Sequence, residues 1–159
     1  MTSYPLLAAS KTRQPAKGKL KQTAIFPGRF DSLEKISTLV IQAATKAGFD
    51  EMAVYSIQTA VDEACSNIID HAYGGESNRP IECTCEDNAD SFKVVLRDFG
   101  KSFQPDSVPN PDLESDLEER KERGLGLYFM RQLMDDVEFK FSPKHGNILT
   151  MIKWKAKKH

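Results

Sequence analysis

The stretch TAVDEACSNIIDHAYGG, residues 59 to 75, is the most informative part of the chain, because it continues a long helical pattern and places polar residues at the edge of it. The apolar positions that recur at helical spacing are Ile57, Val61, Ala64 and Ile68. This periodicity predicts a helix from about Asp50 to Tyr73. Gly74 and Gly75 follow it and predict its end.

Two polar residues of this helix, Glu63 and Asn67, are four positions apart and therefore lie on one face. That face borders the apolar stripe, where the wall of a pocket would lie. An Asn oxygen suits Mg²⁺, which prefers oxygen ligands, and a carboxylate one turn earlier suits a general base. Taken alone, however, the pair fits a solvent-exposed polar helix edge better.

A second segment, FKVVLRDFG at residues 92 to 100, predicts a strand that ends in a buried acid. Alternation places Asp98 in the same row as Phe92, Val94 and Leu96. A buried carboxylate needs hydrogen-bond donors, and the 6-amino group of adenine would supply one. Gly100 would allow the backbone to approach the base closely. The alternative is an Asp that ends a strand in an ordinary turn.

A third segment, RGLGLYFM at residues 123 to 130, predicts a buried helix with Gly124 and Gly126 just before or within its first turn. Free N–H groups and the positive end of the helix dipole form an anion site there, and glycine permits close contact to phosphate. A tight helix entry explains the two glycines equally well.

The rest of the chain predicts an α+β two-layer sandwich, with helices packed on one face of a mainly antiparallel sheet. A strand over Leu20–Phe26 precedes a helix that Asp31 or Ser32 caps and Gly48 closes. Two hairpins complete the sheet. Their predicted strands are Ile81–Glu86 with Ser91–Arg97, and Val137–Phe141 with Ile148–Trp154. Residues 1–18 are interpreted as a flexible basic arm and residues 19–159 as a single domain.

Composition excludes several classes of protein. The net charge of −1 argues against direct nucleic-acid binding, and no apolar run is long enough to span a membrane. Three sparse cysteines favour a reducing, cytoplasmic location. Cys83 and Cys85 alternate on one strand, but no further Cys or His cluster completes a metal site. They are interpreted as small strand residues, and His71, His145 and His159 as residues without a ligand role.

In this order, the three segments resemble the GHKL superfamily, the Bergerat-fold ATPases that include gyrase, chaperone and histidine-kinase domains. Within it, the chain resembles the anti-sigma factor serine kinases of bacteria. The stretches that carry this likeness are TAVDEACSNIIDHAYGG, VVLRDFGKSFQP and ERGLGLYFMRQLMDDVEF. The likeness extends over roughly residues 19 to 155, and the joint pattern is far more specific than any of its parts.

The resemblance implies an ATP- and Mg²⁺-dependent serine kinase that phosphorylates an antagonist protein and sequesters a sigma factor or a similar regulatory protein. By position it implies Glu63 as general base, Asn67 as Mg²⁺ ligand, and Asp98 with Gly100 at the adenine. Residues 101 to 123 would form a lid over ATP or ADP, and a homodimer is expected. The remaining nucleotide contacts that it implies are Phe103, Arg123, Gly124, Leu125, Gly126 and Leu127.

Two positions depart from the superfamily pattern. Ser102 stands where many members have a second glycine, and Asn147 with Ile148 follows Gly146 where many have threonine, so adenine contacts from the last strand are in doubt. A non-catalytic, nucleotide-gated partner-binding module remains the alternative function. A detached histidine-kinase domain is disfavoured, because histidine kinases usually lack a carboxylate at the position of Glu63.

Overall fold

The computed structural model describes residues 20–102 and 122–156, and only the backbone of residues 122–125. The basic arm interpreted over residues 1–18 and most of the expected lid lie outside these ranges. The division into an arm and one domain therefore stays a prediction. In the part of the chain that is described, no helix is long and apolar enough to cross a membrane.

Within the described residues, five antiparallel strands form one sheet, and successive side chains along each strand point to opposite faces of it. In chain order they are β1 (Leu20–Pro27), β2 (Pro80–Asp87), β3 (Ser91–Asp98), β4 (Asp136–Ser142) and β5 (Gly146–Trp154). Their order across the sheet is β1-β2-β3-β5-β4. The β2–β3 and β4–β5 pairs are the two predicted hairpins.

Three helices pack on one face of this sheet. They are α1 (Ser32–Lys46), α2 (Glu51–Asn67) and α3 (Glu122–Leu133). One continuous core joins the two layers, and its largest fully buried side chains include Phe92, Ile36, Ile57 and Leu96. The predicted α+β two-layer sandwich is therefore confirmed.

The end of α2 differs from the predicted helix. The α-helix ends at Asn67, and a π-helical turn over Ile68–Ala72 continues it before Gly74 and Gly75. Periodicity could not separate the two forms, because both place apolar residues inward. Wider helical turns of this kind frequently occur at functional sites, and this one begins directly after a predicted ligand residue.

The side-chain hydrogen bond predicted to cap the start of α1 is not formed. Asp31 precedes the helix but makes no side-chain capping bond, and the Ser32 hydroxyl donates instead to the carbonyl of Pro27 at 2.7 Å. The start of α2 follows the usual rule, since the Asp50 carboxylate accepts from the N–H of Ala53 at 2.9 Å.

Candidate nucleotide-binding site

Helix α3 covers the polar edge of α2 that carries Glu63 and Asn67. A methyl group added to Gly126 would lie 3.2 Å from Glu63 Oε2 and 3.2 Å from Asn67 Nδ2. Both side chains are half-buried. The interpretation as a solvent-exposed helix edge is therefore wrong, because a second helix packs closely against these two groups at Gly126, which has no side chain.

The geometry of α3 argues against the phosphate contact that was expected for the N–H of Gly126. The helix begins at Glu122, so Gly126 is its fifth residue and its N–H falls within the intrahelical hydrogen-bond ladder. Gly124, the third residue, belongs to the first turn, whose N–H groups lack an intrahelical acceptor. Gly124 can therefore offer its N–H to an anion, whereas Gly126 serves through its close approach to α2.

Leu127 lies in the hydrophobic core with 4% of its surface exposed. Only its backbone could contact a phosphate, so the expected contact does not extend to its side chain. Phe103 and the side chains of Arg123 and Leu125 lie outside the described residues, as do lid residues 103 to 121. Their expected nucleotide contacts stay predictions.

Asp98 ends β3 and is 4% exposed, as the buried-row interpretation requires. Its Oδ1 accepts from the Asn147 amide at 2.8 Å and from the N–H of Gly100 at 2.9 Å. The second bond closes a local turn, so the core-row and turn interpretations both hold. Burial raises the pKa of the Asp98 carboxyl, while these two hydrogen bonds and the charge of Arg79 oppose the rise.

Gly100 meets a close neighbour within the protein itself. A methyl group on it would lie 2.3 Å from the carbonyl oxygen of Ala72, and the next N–H, of Lys101, donates to that same oxygen at 2.8 Å. The glycine is thus required for packing against the end of the π-helical turn. Whether it also faces a base stays a prediction.

The peptide of Phe99, between Asp98 and Gly100, is held at both of its polar atoms. Its N–H donates to the Tyr73 hydroxyl at 3.1 Å, and its carbonyl accepts from the Arg79 guanidinium. That guanidinium also stacks 4.5 Å above the Tyr73 ring. The segment that follows Asp98 is therefore held by contacts from both Tyr73 and Arg79.

An open cavity lies between α2, α3 and the end of the sheet. Asn67 and Asp98 both line it, so two of the predicted site residues share one space. Its other polar lining residues are Lys101, Lys140 and Asn147, and its apolar lining includes Ala64, Ile68, Met130 and Leu149. An apolar space with a few polar groups is the usual form of a small-molecule site.

Sequence reasoning missed Asn147, Lys101 and Lys140. The available signal for Asn147 was register, because it pairs directly with Asp98 across β3 and β5. Neighbouring strands could not be assigned from the pattern alone, and the departure from threonine left contacts from this strand in doubt. In the structure the Asn147 amide donates to the Asp98 carboxylate.

The described residues offer an oxygen ligand for a metal but do not form a complete set of protein ligands around one. Among residues 20–102 and the described C-terminal part, no group of three or more His, Cys, Asp or Glu side chains could hold a metal. Mg²⁺ in nucleotide sites typically uses one or two protein oxygens and completes its shell with water and phosphates. The Asn67 amide oxygen on the cavity wall, one turn from Glu63, fits that requirement. Cys65, Cys83 and Cys85 are free, buried thiols.

The comparisons with known proteins agree with this geometry. Residues 26–153 match the family described as histidine kinase-like ATPase domain. The chain is 30% identical over 132 residues to the serine-protein kinase RsbW of Halalkalibacterium halodurans, covering 80% of this chain and 79% of that protein. It is 31% identical over 111 residues to the serine-protein kinase RsbW of Listeria monocytogenes, covering 67% and 71%.

A solved structure has the same fold. The crystal structure of the RsbU and RsbW domains of Rv1364c from Mycobacterium tuberculosis aligns with a TM-score of 0.59 at 12% identity. The alignment covers 84% of this chain and 32% of that longer one, so it supports the fold alone. Family match, relatives and fold together show that this chain belongs to the histidine kinase-like ATPase domain family and, within it, to the serine-protein kinases of the RsbW type.

Proposed function

We propose that the chain binds Mg·ATP in the cavity between α2, α3 and the sheet and transfers the γ-phosphoryl group to a serine of a partner protein. The observation that carries the proposal is the convergence of three distant segments. Asn67 and Asp98 line one cavity, and Gly126 brings α3 against Glu63 and Asn67. A polar helix edge, a strand-ending acid and a glycine-containing helix are each common singly. An arrangement in which Asn67 and Asp98 line one cavity while α3 packs on Asn67 through Gly126 favours a nucleotide site.

The base would lie at the Asp98 end of the cavity. A carboxylate accepts a hydrogen bond from the 6-amino group of adenine, and the apolar walls formed by residues such as Ile68 and Met130 suit a flat aromatic ring. Guanine carries a 6-oxo group, which is an acceptor and would face the carboxylate unfavourably. The site is therefore expected to prefer ATP and ADP over guanine nucleotides.

The phosphates and the metal would lie toward Asn67. Its amide oxygen would ligate Mg²⁺, which when bound neutralises charge on the phosphates. The free N–H groups in the first turn of α3, including that of Gly124, suit a phosphate. Arg123 and Leu125 are neighbours in that turn and are proposed to contribute there as well.

Glu63 is proposed as the general base for the serine hydroxyl. It lies one helical turn from Asn67, beside Gly126, and so borders the metal end of the site. General base catalysis contributes about 10²- to 10⁴-fold to rate. Loss of the carboxylate should therefore slow transfer strongly while leaving the nucleotide bound.

The finer biology is also a proposal. By its relation to RsbW-type kinases, the chain would phosphorylate an anti-sigma antagonist in the cytoplasm, sequester a sigma factor or similar regulatory protein, and act as a homodimer. Nucleotide state would select the partner, because ATP and ADP would favour different conformations of the site. A nucleotide-gated module without transfer activity is the second candidate.

The test separates binding from transfer. Wild type, Asn67→Ala and Glu63→Gln are titrated with ATP in magnesium buffer by calorimetry and incubated with labelled ATP and a cognate antagonist protein. We expect Asn67→Ala to lose measurable Mg·ATP binding. Glu63→Gln should bind ATP within about threefold of wild type and lose at least about 100-fold in transfer rate.

The control is Glu51→Gln, an exposed glutamate at the other end of the same helix. It should bind and transfer as wild type does. Transfer by Glu63→Gln at the wild-type rate would refute the base assignment. ATP binding without any serine phosphate in the wild type would leave the gated module as the function.

A further inference from the structure

The Asn147 side chain makes an unusual set of contacts for one amide. Its Nδ2 lies 2.8 Å from Asp98 Oδ1, 3.2 Å from the carbonyl oxygen of Gly100 and 3.1 Å from that of Lys101. Asn147 is the second residue of β5 and pairs with Asp98, the last residue of β3. One side chain thus spans the strand end and the two residues that follow Phe99.

The amide group has two hydrogens for three acceptors. The shortest contact is to the carboxylate, and a hydrogen bond to an ionised acceptor is stronger than one to a neutral carbonyl. One hydrogen is therefore assigned to Asp98, and the other is shared between the Gly100 and Lys101 carbonyls. A side chain with one hydroxyl hydrogen could not hold both the carboxylate and the turn.

Within the described residues, both hydrogen bonds to the Asp98 carboxylate end on Oδ1. The carboxyl plane is therefore fixed, and Oδ2 is the oxygen left to accept a hydrogen from a ligand. The Asp98 side chain also lines the cavity together with Asn147. An acceptor held in one orientation discriminates between ligand groups better than one that can rotate or take up a proton.

We propose that Asn147 is a specificity-determining positioning residue, which fixes Asp98 as a hydrogen-bond acceptor and so selects purines with a 6-amino group over those with a 6-oxo group. The inference rests on the proposed ATP site and adds to it a residue and a selection mechanism. Asn147 would act on the base through Asp98. Its loss should therefore reduce the difference in affinity between 6-amino and 6-oxo purines while the protein still folds.

The electrostatic surroundings of Asp98 support this role. Burial raises the pKa of its carboxyl, and the bond from Asn147 is the first of the contacts that lower it. Arg79 also lowers it, Tyr73 lies close enough to interact with its charge, and Lys101 and Lys140 line the same cavity. Without Asn147 the carboxyl would more readily hold a proton, and a protonated acid can donate to a 6-oxo group.

The experiment compares three nucleotides in magnesium buffer by calorimetry: ATP, purine riboside triphosphate without a 6-substituent, and inosine triphosphate with a 6-oxo group. For wild type we expect each change at position 6 to weaken binding at least 10-fold. For Asn147→Ala we expect ATP to weaken about 10-fold, and the difference among the three nucleotides to fall below about threefold. Asn147→Thr, which keeps one donor for Asp98, should retain most of the wild-type preference.

Asn88→Ala is the matched control, because Asn88 lies in the β2–β3 turn and its side-chain amide donates to the Ser91 hydroxyl at 3.5 Å. It should discriminate as wild type does. If Asn147→Ala does not fold, Asn147→Val decides, because valine has the shape of threonine without its donor, and a folded valine variant that keeps the full wild-type preference would overturn the inference. A second readout, the titration of the Asp98 carboxyl by ¹³C NMR in the nucleotide-free protein, should show a higher midpoint in Asn147→Ala.

The outcomes separate the two proposals. Wild type that binds no ATP refutes the proposed function and, with it, this inference. Wild type that binds ATP while Asn147→Ala keeps the full preference for the 6-amino group refutes only the role of Asn147. An unchanged Asp98 midpoint in Asn147→Ala would count against the inference in the same way.

Discussion

At the scale of single residues, Asp98 shows how one side chain can serve both the fold and the site. It continues the buried row of β3, yet it is a carboxylate, and its Oδ1 needs the donors that Asn147 and Gly100 supply. The local pattern predicted that Asp98 would be buried. It could not predict the second donor, because Asn147 is 49 residues away and only strand pairing brings it near.

Replacing Asp98 by asparagine should separate stability from binding. The asparagine oxygen can still accept from Asn147 and Gly100, but its amide would point a donor at the 6-amino group of the base. Because a hydrogen bond to a charged group is worth about 1.5–3 kcal/mol, we expect ATP affinity to fall about 10- to 100-fold. Calorimetry on the variant checks this, and wild-type affinity would contradict the placement of the base.

The same substitution should remove a pH-dependent cost of folding. The pKa of Asp98 is raised in the folded state, so its contribution to stability is largest below its unfolded pKa and is lost as pH rises through the folded pKa. Asp98→Asn should therefore unfold at an equal or higher temperature than wild type at neutral pH, and the difference should vanish in acid. Thermal unfolding at several pH values measures it, and a lower midpoint at neutral pH would refute the reasoning.

At the scale of elements, the contact between α2 and α3 would assemble the metal end of the proposed site. A methyl group at Gly126 would lie 3.2 Å from the flexible ends of Glu63 and Asn67, which can move aside. Alanine also gains up to about 1 kcal/mol in helix propensity over glycine. Gly126→Ala should therefore keep or raise the thermal midpoint, while displacing the two polar groups and weakening Mg·ATP binding at least 10-fold.

Gly100→Ala provides the contrasting case. Its methyl group would lie 2.3 Å from the Ala72 carbonyl oxygen, and backbone cannot move aside as a side chain can. Overpacking of this kind costs about 1–3 kcal/mol, so the thermal midpoint should fall by several degrees. Thermal unfolding of Gly126→Ala and Gly100→Ala, measured in parallel, tests this difference in stability. Equal midpoints would show that the backbone at Gly100 can shift away from Ala72 at little cost.

The sequence predicted strands and helices well where one face of the element is buried and the other is exposed. Strands β2, β3 and β5 and helices α1 and α2 follow clear periodicity, and both hairpins were predicted. The end of α2 was not, because a π-helical turn keeps the same apolar residues inward. The start of α3 was also imprecise, since neither glycine defines the first residue of a helix that begins at Glu122.

At the scale of the whole molecule, nucleotide binding should stabilise the fold as one unit. The proposed site takes residues from α2, α3 and the sheet, so unfolding of any of these elements would release the ligand. A ligand at 100 times its Kd adds about 2.7 kcal/mol, and 1 kcal/mol shifts the midpoint of a domain of this size by about 2–4 °C. Mg·ATP should thus raise the thermal midpoint by roughly 5 to 10 °C.

The control for this measurement is guanosine triphosphate at the same concentration. It should give a clearly smaller shift, because its 6-oxo group would face the Asp98 carboxylate in the proposed site. Equal shifts with both nucleotides would indicate recognition of phosphate alone. If ATP does not shift the thermal midpoint at all, the proposed nucleotide site would be contradicted.

Three features of this protein follow from the amino-acid sequence alone: its two layers, the strand that ends in Asp98, and the helix edge that carries Glu63 and Asn67. These features are local, since each depends on which residues share a face within one element. Tertiary structure alone decided that α3 packs on that edge through Gly126, that Asn147 holds Asp98, and that Gly100 is required against Ala72. Those contacts join residues far apart in the chain, and side-chain periodicity contains no information about which elements become neighbours.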